Sequence, residues 1–226
     1  MRLNTRKPGE KFIYNQGKDN TGGELNCKAN TPRELANAEE RERRQAMLAA
    51  AHMTALRKYT EGIRKSTGKE IPDFDPCDGG VDAEALFLLE APGPKAIKTG
   101  FVSRNNPDAT AENMLRTQEA AGLARERTIL WNIIPWATPK KAGLRSEVEK
   151  GKAHLAALIG LLPELKAIVL VGLSAQRAKA EIMAMTEAEI FCSYHPSPLN
   201  VNTRPEMRQK ILDIFCHAHA YLERGN

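Results

Sequence analysis

The 226-residue sequence is poor in aromatics, at 5%, and holds four cysteines and two tryptophans. No apolar run approaches the ~20 residues that a membrane-spanning helix needs, so no membrane partner is expected. The opening residues, Met1-Arg2-Leu3-Asn4-Thr5-Arg6-Lys7, lack the apolar stretch of a secretory signal; an intracellular, cytoplasmic protein is expected. Cys27, Cys77, Cys192 and Cys216 form no CxxC pair, which argues against a zinc knuckle or a redox motif and favours reduced thiols. No metal and no cofactor are expected.

Other motifs are missing too. The Ser66-Thr67-Gly68-Lys69-Glu70 stretch is no phosphate loop, because Glu70 stands where Ser or Thr should bind magnesium. No GxGxxG follows the first apolar run, so a dinucleotide site is unsupported. Pro76-Cys77-Asp78-Gly79-Gly80 lacks the second cysteine of a zinc base deaminase, and no HxE occurs. Nothing suggests a coiled coil, and a monomer is expected.

What is present is an ordinary globular composition, 42% hydrophobic and 27% charged. The net charge of +5 is unevenly placed: residues 1–72 hold 15 Lys and Arg against 9 Asp and Glu, and the remainder 18 against 19. A basic N-terminal third reads either as a footprint for a polyanion or as a solvated surface helix.

Residues 1–30 are polar and without periodicity, and read as an arm. Thr31-Pro32-Arg33-Glu34 has the spacing of a capping box, opening a long helix towards Gly68. Leu48, His52, Ala55, Tyr59 and Ile63 mark its buried face, and the charge-dense stretch from Glu39 to Arg44 should face water. Beyond a breaker-rich link, short apolar runs at residues 85–89, 128–131, 167–171 and 189–192 alternate with helical patterns at 111–121, 146–161, 175–185 and 205–221. Such alternation implies an α/β fold: a three-layer α/β/α sandwich with a four-stranded, mainly parallel sheet, plus a helical N-terminal extension. Residues 1–80 are assigned to the arm and long helix, and residues 81–226 to the α/β core, as one compact domain.

In such sheets ligands bind beyond the carboxyl ends of the strands. The four runs end in Glu90-Ala91-Pro92-Gly93, in Asn132 to Trp136, in Gly172-Leu173-Ser174-Ala175-Gln176, and in His195-Pro196-Ser197-Pro198-Leu199. These segments together resemble the motifs of the uracil-DNA glycosylase superfamily, over about residues 85–205 and in the right order. Glu90 to Gly93 looks like the first motif of the family's thermophile-type branch, and the His-Pro-Ser-Pro-Leu segment is the most specific match. That branch carries a CxxC for an iron–sulfur cluster; this chain lacks the pair, so no cluster is expected.

The resemblance implies hydrolysis of the N-glycosidic bond of uracil in single- or double-stranded DNA, with free uracil as product, in a repair enzyme working at the nucleoid. Leu199 would be the wedge that fills the gap left by a flipped base, on a loop stiffened by Pro196 and Pro198. Ser174 and Ser197 would hold flanking phosphates. Asn132 would read uracil against cytosine, since one side-chain amide can pair with both O4 and N3–H. Phe101 would stack on the pyrimidine. His195 would donate to uracil O2 as charge develops there, helped by the backbone N–H of Ala91. The best-studied branch has an Asp where Ala91 stands; Glu90 is then the candidate to orient water, with Asp108 as a second. That branch also blocks thymine with an aromatic where Gly93 stands, so the substrate range is open. Two alternatives stay beside this reading: a non-catalytic module binding uracil-containing or damaged DNA, and an enzyme acting on a free nucleotide or nucleoside.

Overall fold

The computed structural model describes residues 31–138 and 144–224; the expected arm at 1–30 lies outside the described residues. Four parallel strands form the central sheet: β2 (Ala85–Leu89), β4 (Thr128–Asn132), β5 (Ala167–Val171) and β6 (Glu189–Ser193), in the order β4-β2-β5-β6. The first three are buried throughout or nearly so, which is why they read as continuous apolar runs rather than alternating ones. Two short strands, β1 (Asp73–Phe74) and β3 (Phe101–Val102), pair in parallel as a separate ribbon.

Register sorts the core into two layers. Phe87 pairs with Val169 and Val169 with Phe191, so these three share a face, covered by α9 (Pro205–Arg224) through Phe215 and Tyr221. Leu88 pairs with Trp131 on the other face. There Trp131 stacks on Phe74 at 3.6 Å and meets Tyr59 of α2 (Thr54–Thr67) edge-on. The Tyr59 hydroxyl donates to the carbonyl of His154 in α5 (Leu144–Ile159). Among the described residues, no helix is long and apolar enough to cross a membrane.

Helices on both faces of a parallel sheet match the expected sandwich, but several local expectations need correcting. The long N-terminal helix is two helices, α1 (Ala38–Met47) and α2, separated by a turn that brings His52 to the 76–80 loop. His52 Nε2 lies 3.0 Å from the Pro76 carbonyl, and any Cβ on Gly80 would stand 2.4 Å from the His52 carbonyl oxygen. That close approach could not be read from periodicity. The N-cap of α1 is Asn37, whose side chain accepts from the Glu39 N–H, rather than Thr31. Arg44 is buried instead of solvated and pairs with Asp75, which also pairs with Arg125; Arg125 and Arg104 in turn pair with Asp78, in one network. The helix expected at 175–185 is split into α6 (Leu173–Gln176) and α7 (Lys179–Met183). Cys192 and Cys216 are free thiols, whereas Cys77 is disulfide-bonded, against the expectation of reduced cysteines.

Residues 31–80 pack into the same core: Leu35, Leu48, Met53, Leu56, Ile63 and Phe74 belong to the cluster formed by the sheet. Three further short elements position the site. They are α3 (Pro94–Thr99), α4 (Ala109–Ala120) and α8 (Pro198–Thr203), and α4 packs against α9.

Candidate active site

All four expected strand ends lie along one edge of the sheet, as parallel pairing requires. A cleft of about 380 Å³ opens there, lined by Glu90, Gly172, Ser174, Tyr194, His195 and Arg204 among others. Glu90 leaves β2, Gly172 leaves β5 and His195 leaves β6, so three strands meet at it.

His195 is held through its backbone rather than its ring. Its carbonyl accepts from Asn200 Nδ2 at 2.9 Å, and the next carbonyl, of Pro196, accepts from Asn113 Nδ2 of α4, also at 2.9 Å. Two residues before His195, the Ser193 carbonyl accepts from both the Gly172 N–H and Gln176 Nε2, each at 2.8 Å. Among the described residues neither ring nitrogen of His195 has a hydrogen-bond partner. Burial pushes the imidazole below its ordinary value, against the opposing pull of the Glu90 and Asp108 carboxylates. The ring is therefore neutral at pH 7, with a free N–H to donate.

The two candidate carboxylates differ in their commitments. Asp108 caps α4, accepting from the Ala111 N–H at 2.9 Å. Glu90 lines the cleft, its backbone carbonyl tied to the Ile134 N–H at 2.8 Å, and its carboxylate makes no hydrogen bond or ion pair among the described residues. The Ala91 N–H likewise has no backbone acceptor there.

Asn132 ends β4, beside Leu89, and is buried, with an amide Nδ2 that has no partner among the described residues. A buried donor left unpaired is costly and marks a place where a ligand can bond. With strands about 4.8 Å apart, the ends of β4 and β6 stand roughly 14 Å from each other on the same edge. The exits of β2 and β5 floor the gap. Phe101 lies in β3, 1% exposed, and is absent from the lining of the open cleft. Its carbonyl accepts from Asn106 Nδ2, while Asn106 Oδ1 accepts from the Thr99 hydroxyl, which closes the loop around it.

The remaining expected residues stand on the segments that follow the strand ends. Leu199 is 73% exposed on the first turn of α8. Pro198 starts that helix at its first position, so the stiff loop is in fact a helix start. Ser197 Oγ caps α8 by accepting from the Asn200 N–H, while Ser174 lies in α6 and lines the cleft. Gly93 is the N-cap of α3, and a Cβ there would meet nothing within 4 Å. Sequence reading missed Asn113, Asn200, Tyr194 and Arg204. Of these, Tyr194 and Asn200 flank the five-residue motif and so offered a signal in the chain itself.

A scan against protein-family models matches residues 76–216 to the Uracil DNA glycosylase superfamily. A search of the curated proteins finds no match. The match covers the whole sheet, every strand end of the cleft and most of α9, and the chain belongs to the Uracil DNA glycosylase superfamily.

Proposed function

We infer that the protein removes uracil from DNA by hydrolysing the bond between the base and its deoxyribose, leaving an abasic site. The observation that carries this reading is that His195, whose ring nitrogens have no hydrogen-bond partner among the described residues, lines the same cleft as Glu90, while burial favours its neutral form. The orphaned amide of Asn132 on the same edge adds the recognition element.

In this reading the uracil swings out of the stack into the space between the β4 and β6 exits. Asn132 bonds its O4 and N3–H edge. As the N1–C1′ bond breaks, the bonding pair moves onto the uracil ring and charge gathers at O2. There His195 donates a hydrogen bond and the Ala91 N–H assists, each such preorganised donor contributing about 3–4 kcal/mol. Glu90 orients a water towards C1′ and offsets the positive charge of the sugar. The water's hydroxyl joins C1′, and its proton is left for the departing base. Phe101, buried in β3, stacks on the pyrimidine.

The charge distribution supports DNA as the partner. Segments 93–99, 172–180 and 198–210, all beyond strand ends, carry seven Lys and Arg and a single acid, Glu206. None of those cations, Lys95, Lys98, Arg177, Lys179, Arg204, Arg208 and Lys210, has an ion-pair partner among the described residues. At the opposite end of the sheet, Arg127 and Lys166 are neutralised by Glu84. The basic stretch at residues 31–72 is instead largely consumed internally. Arg33, Arg43, Arg44, Arg57, Arg64 and Lys69 pair with acids, and Arg41 bonds the Leu35 and Ala36 carbonyls. The polyanion footprint is thus read at the strand ends.

Free uracil released from a uracil-containing oligonucleotide, detected by chromatography, tests the reading. Release from uracil strands, with none from undamaged strands, is expected. Tight binding without release would make the protein a damage-binding module. Activity on free deoxyuridine alone would make it a nucleoside-acting enzyme.

A further inference from the structure

Among the described residues, five large apolar side chains stand exposed, and three of them stand on the β5 and β6 exits that carry Gly172 and His195: Leu173 at 72%, Leu199 at 73% and Tyr194 at 44%. Leu199 is the wedge that the sequence motif suggests; Leu173 has no such assignment. It is the first residue of α6, directly after Gly172, on the neighbouring strand exit. Its backbone is tightly held, because the Gly172 N–H and Gln176 Nε2 both bond the Ser193 carbonyl and Ala175 is fully buried beneath it. A rigid backbone presenting a leucine to solvent at the mouth of a polar cleft is a feature that core packing does not explain.

We propose that Leu173 is a second wedge, which enters the base stack from the β5 side while Leu199 enters from the β6 side, so that the two leucines flank the everted nucleotide. This rests on the base-excision reading above. The occupant is a nucleic-acid duplex, for two reasons. The apolar tips stand on the same segments as Arg177, Lys179, Arg204 and Arg208, exposed cations without ion-pair partners among the described residues, which suit a phosphate backbone. The two leucines also stand on the two strand exits next to the side chain that would act on the flipped base, Leu173 directly following the glycine packed against His195 and Leu199 four residues after that histidine. Taking a base out of a duplex breaks stacking on both of its sides. One leucine can fill the vacated slot; the second keeps the flanking step from closing. A single strand has far less stacking to restrain, so the contribution of Leu173 belongs mainly to duplex substrates.

The test compares Leu173→Ala with wild type on two uracil substrates, one single-stranded and one duplex, with Met183→Ala as a control at an exposed apolar residue on α7. Duplex excision by Leu173→Ala is expected to fall about tenfold, and at least about fivefold further than single-strand excision. Leu173→Phe, which keeps the bulk, should recover most of the loss, and Met183→Ala should match wild type. A second readout needs no catalysis: 2-aminopurine placed beside uracil in a duplex brightens when its stack is opened by binding. Wild type should brighten it and Leu173→Ala should do so much less. Equal losses on both substrates, or unchanged brightening with Leu173→Ala, overturn the wedge. If wild type releases no uracil at all, the excision reading fails and the fluorescence comparison alone decides the wedge. Binding to protein partners with no brightening from wild type would reject it.

Discussion

Gly172 is packed against His195 across the exits of β5 and β6. Gly172 has φ 90° and ψ 160°, a conformation that residues with a Cβ avoid, and an added Cβ would stand 3.1 Å from the His195 Cβ and 3.4 Å from its Cδ2. The glycine therefore sets where the imidazole sits. Gly172→Ala combines backbone strain of about 1–3 kcal/mol with displacement of the ring. Excision is expected to fall by more than the loss of stability explains, at a temperature where the variant is still folded by circular dichroism. Full activity in a folded variant would show that the ring's place is not set by this contact.

The acid limb of activity follows from His195. A neutral ring is needed, and burial holds its pKa below the ordinary 6.5, so activity should persist at pH 6.5 and fall only at lower pH. Glu90 and Asp108 favour the protonated ring. Removing one negative charge with Glu90→Gln should shift the titration of the His195 ring further towards acid. Proton NMR of the ring in both proteins measures this. An upward shift in the variant would contradict the assignment.

The buried charge network makes a separate prediction. Arg44 lies 2.5 Å from Asp75, and Arg125 lies 2.6 Å from it, with both Arg44 and Asp75 out of solvent. Burial alone would raise the Asp75 carboxyl, but the Arg125 and Arg44 guanidinium groups, with the Ser103 hydroxyl, hold it below its ordinary value. Its stabilising contribution is therefore present above the unfolded carboxyl pKa of about 4 and lost as pH falls through the lower folded value. Arg44→Met leaves a buried carboxylate with one cation fewer and should destabilise by about 3–5 kcal/mol in urea melts. Its acid unfolding should begin at higher pH than in wild type. A variant as stable as wild type would show that the pair contributes no net stability.

Gly93 bears on substrate range. The N-cap of α3 has ordinary φ, −74°, and open space around it, so a larger side chain fits without strain. Gly93→Tyr should raise the preference for uracil over 5-substituted uracils by about tenfold, through excluded volume at C5. The ratio of kcat/KM values on paired substrates gives the answer. An unchanged ratio would place the C5 edge of the base elsewhere.

How much of this was legible follows physical lines. The strands of residues 85–89 and 167–171 were readable to the residue, because strands buried on both faces are unbroken apolar runs closed by turn formers. Leu199 and His195 were findable because five consecutive residues carried the motif. Arg44 was misread, since a charge-dense helix gives no sign that one guanidinium turns inward to Asp75, 31 residues away. Asn113 was invisible for the same reason: its partner, the Pro196 carbonyl, lies 83 residues along the chain. Such contacts arise from packing and leave no local pattern. The break between α1 and α2 belongs with them, because it answers to the close approach of Gly80 rather than to any breaker residue.

The most direct test incubates wild type and His195→Ala, in EDTA, with end-labelled DNA holding one uracil, then adds alkali to cut at abasic sites. Wild type should produce a single cut at the uracil, while His195→Ala binds the same DNA and cuts about 100-fold less. DNA left whole by wild type, or cut equally by both proteins, would contradict the account.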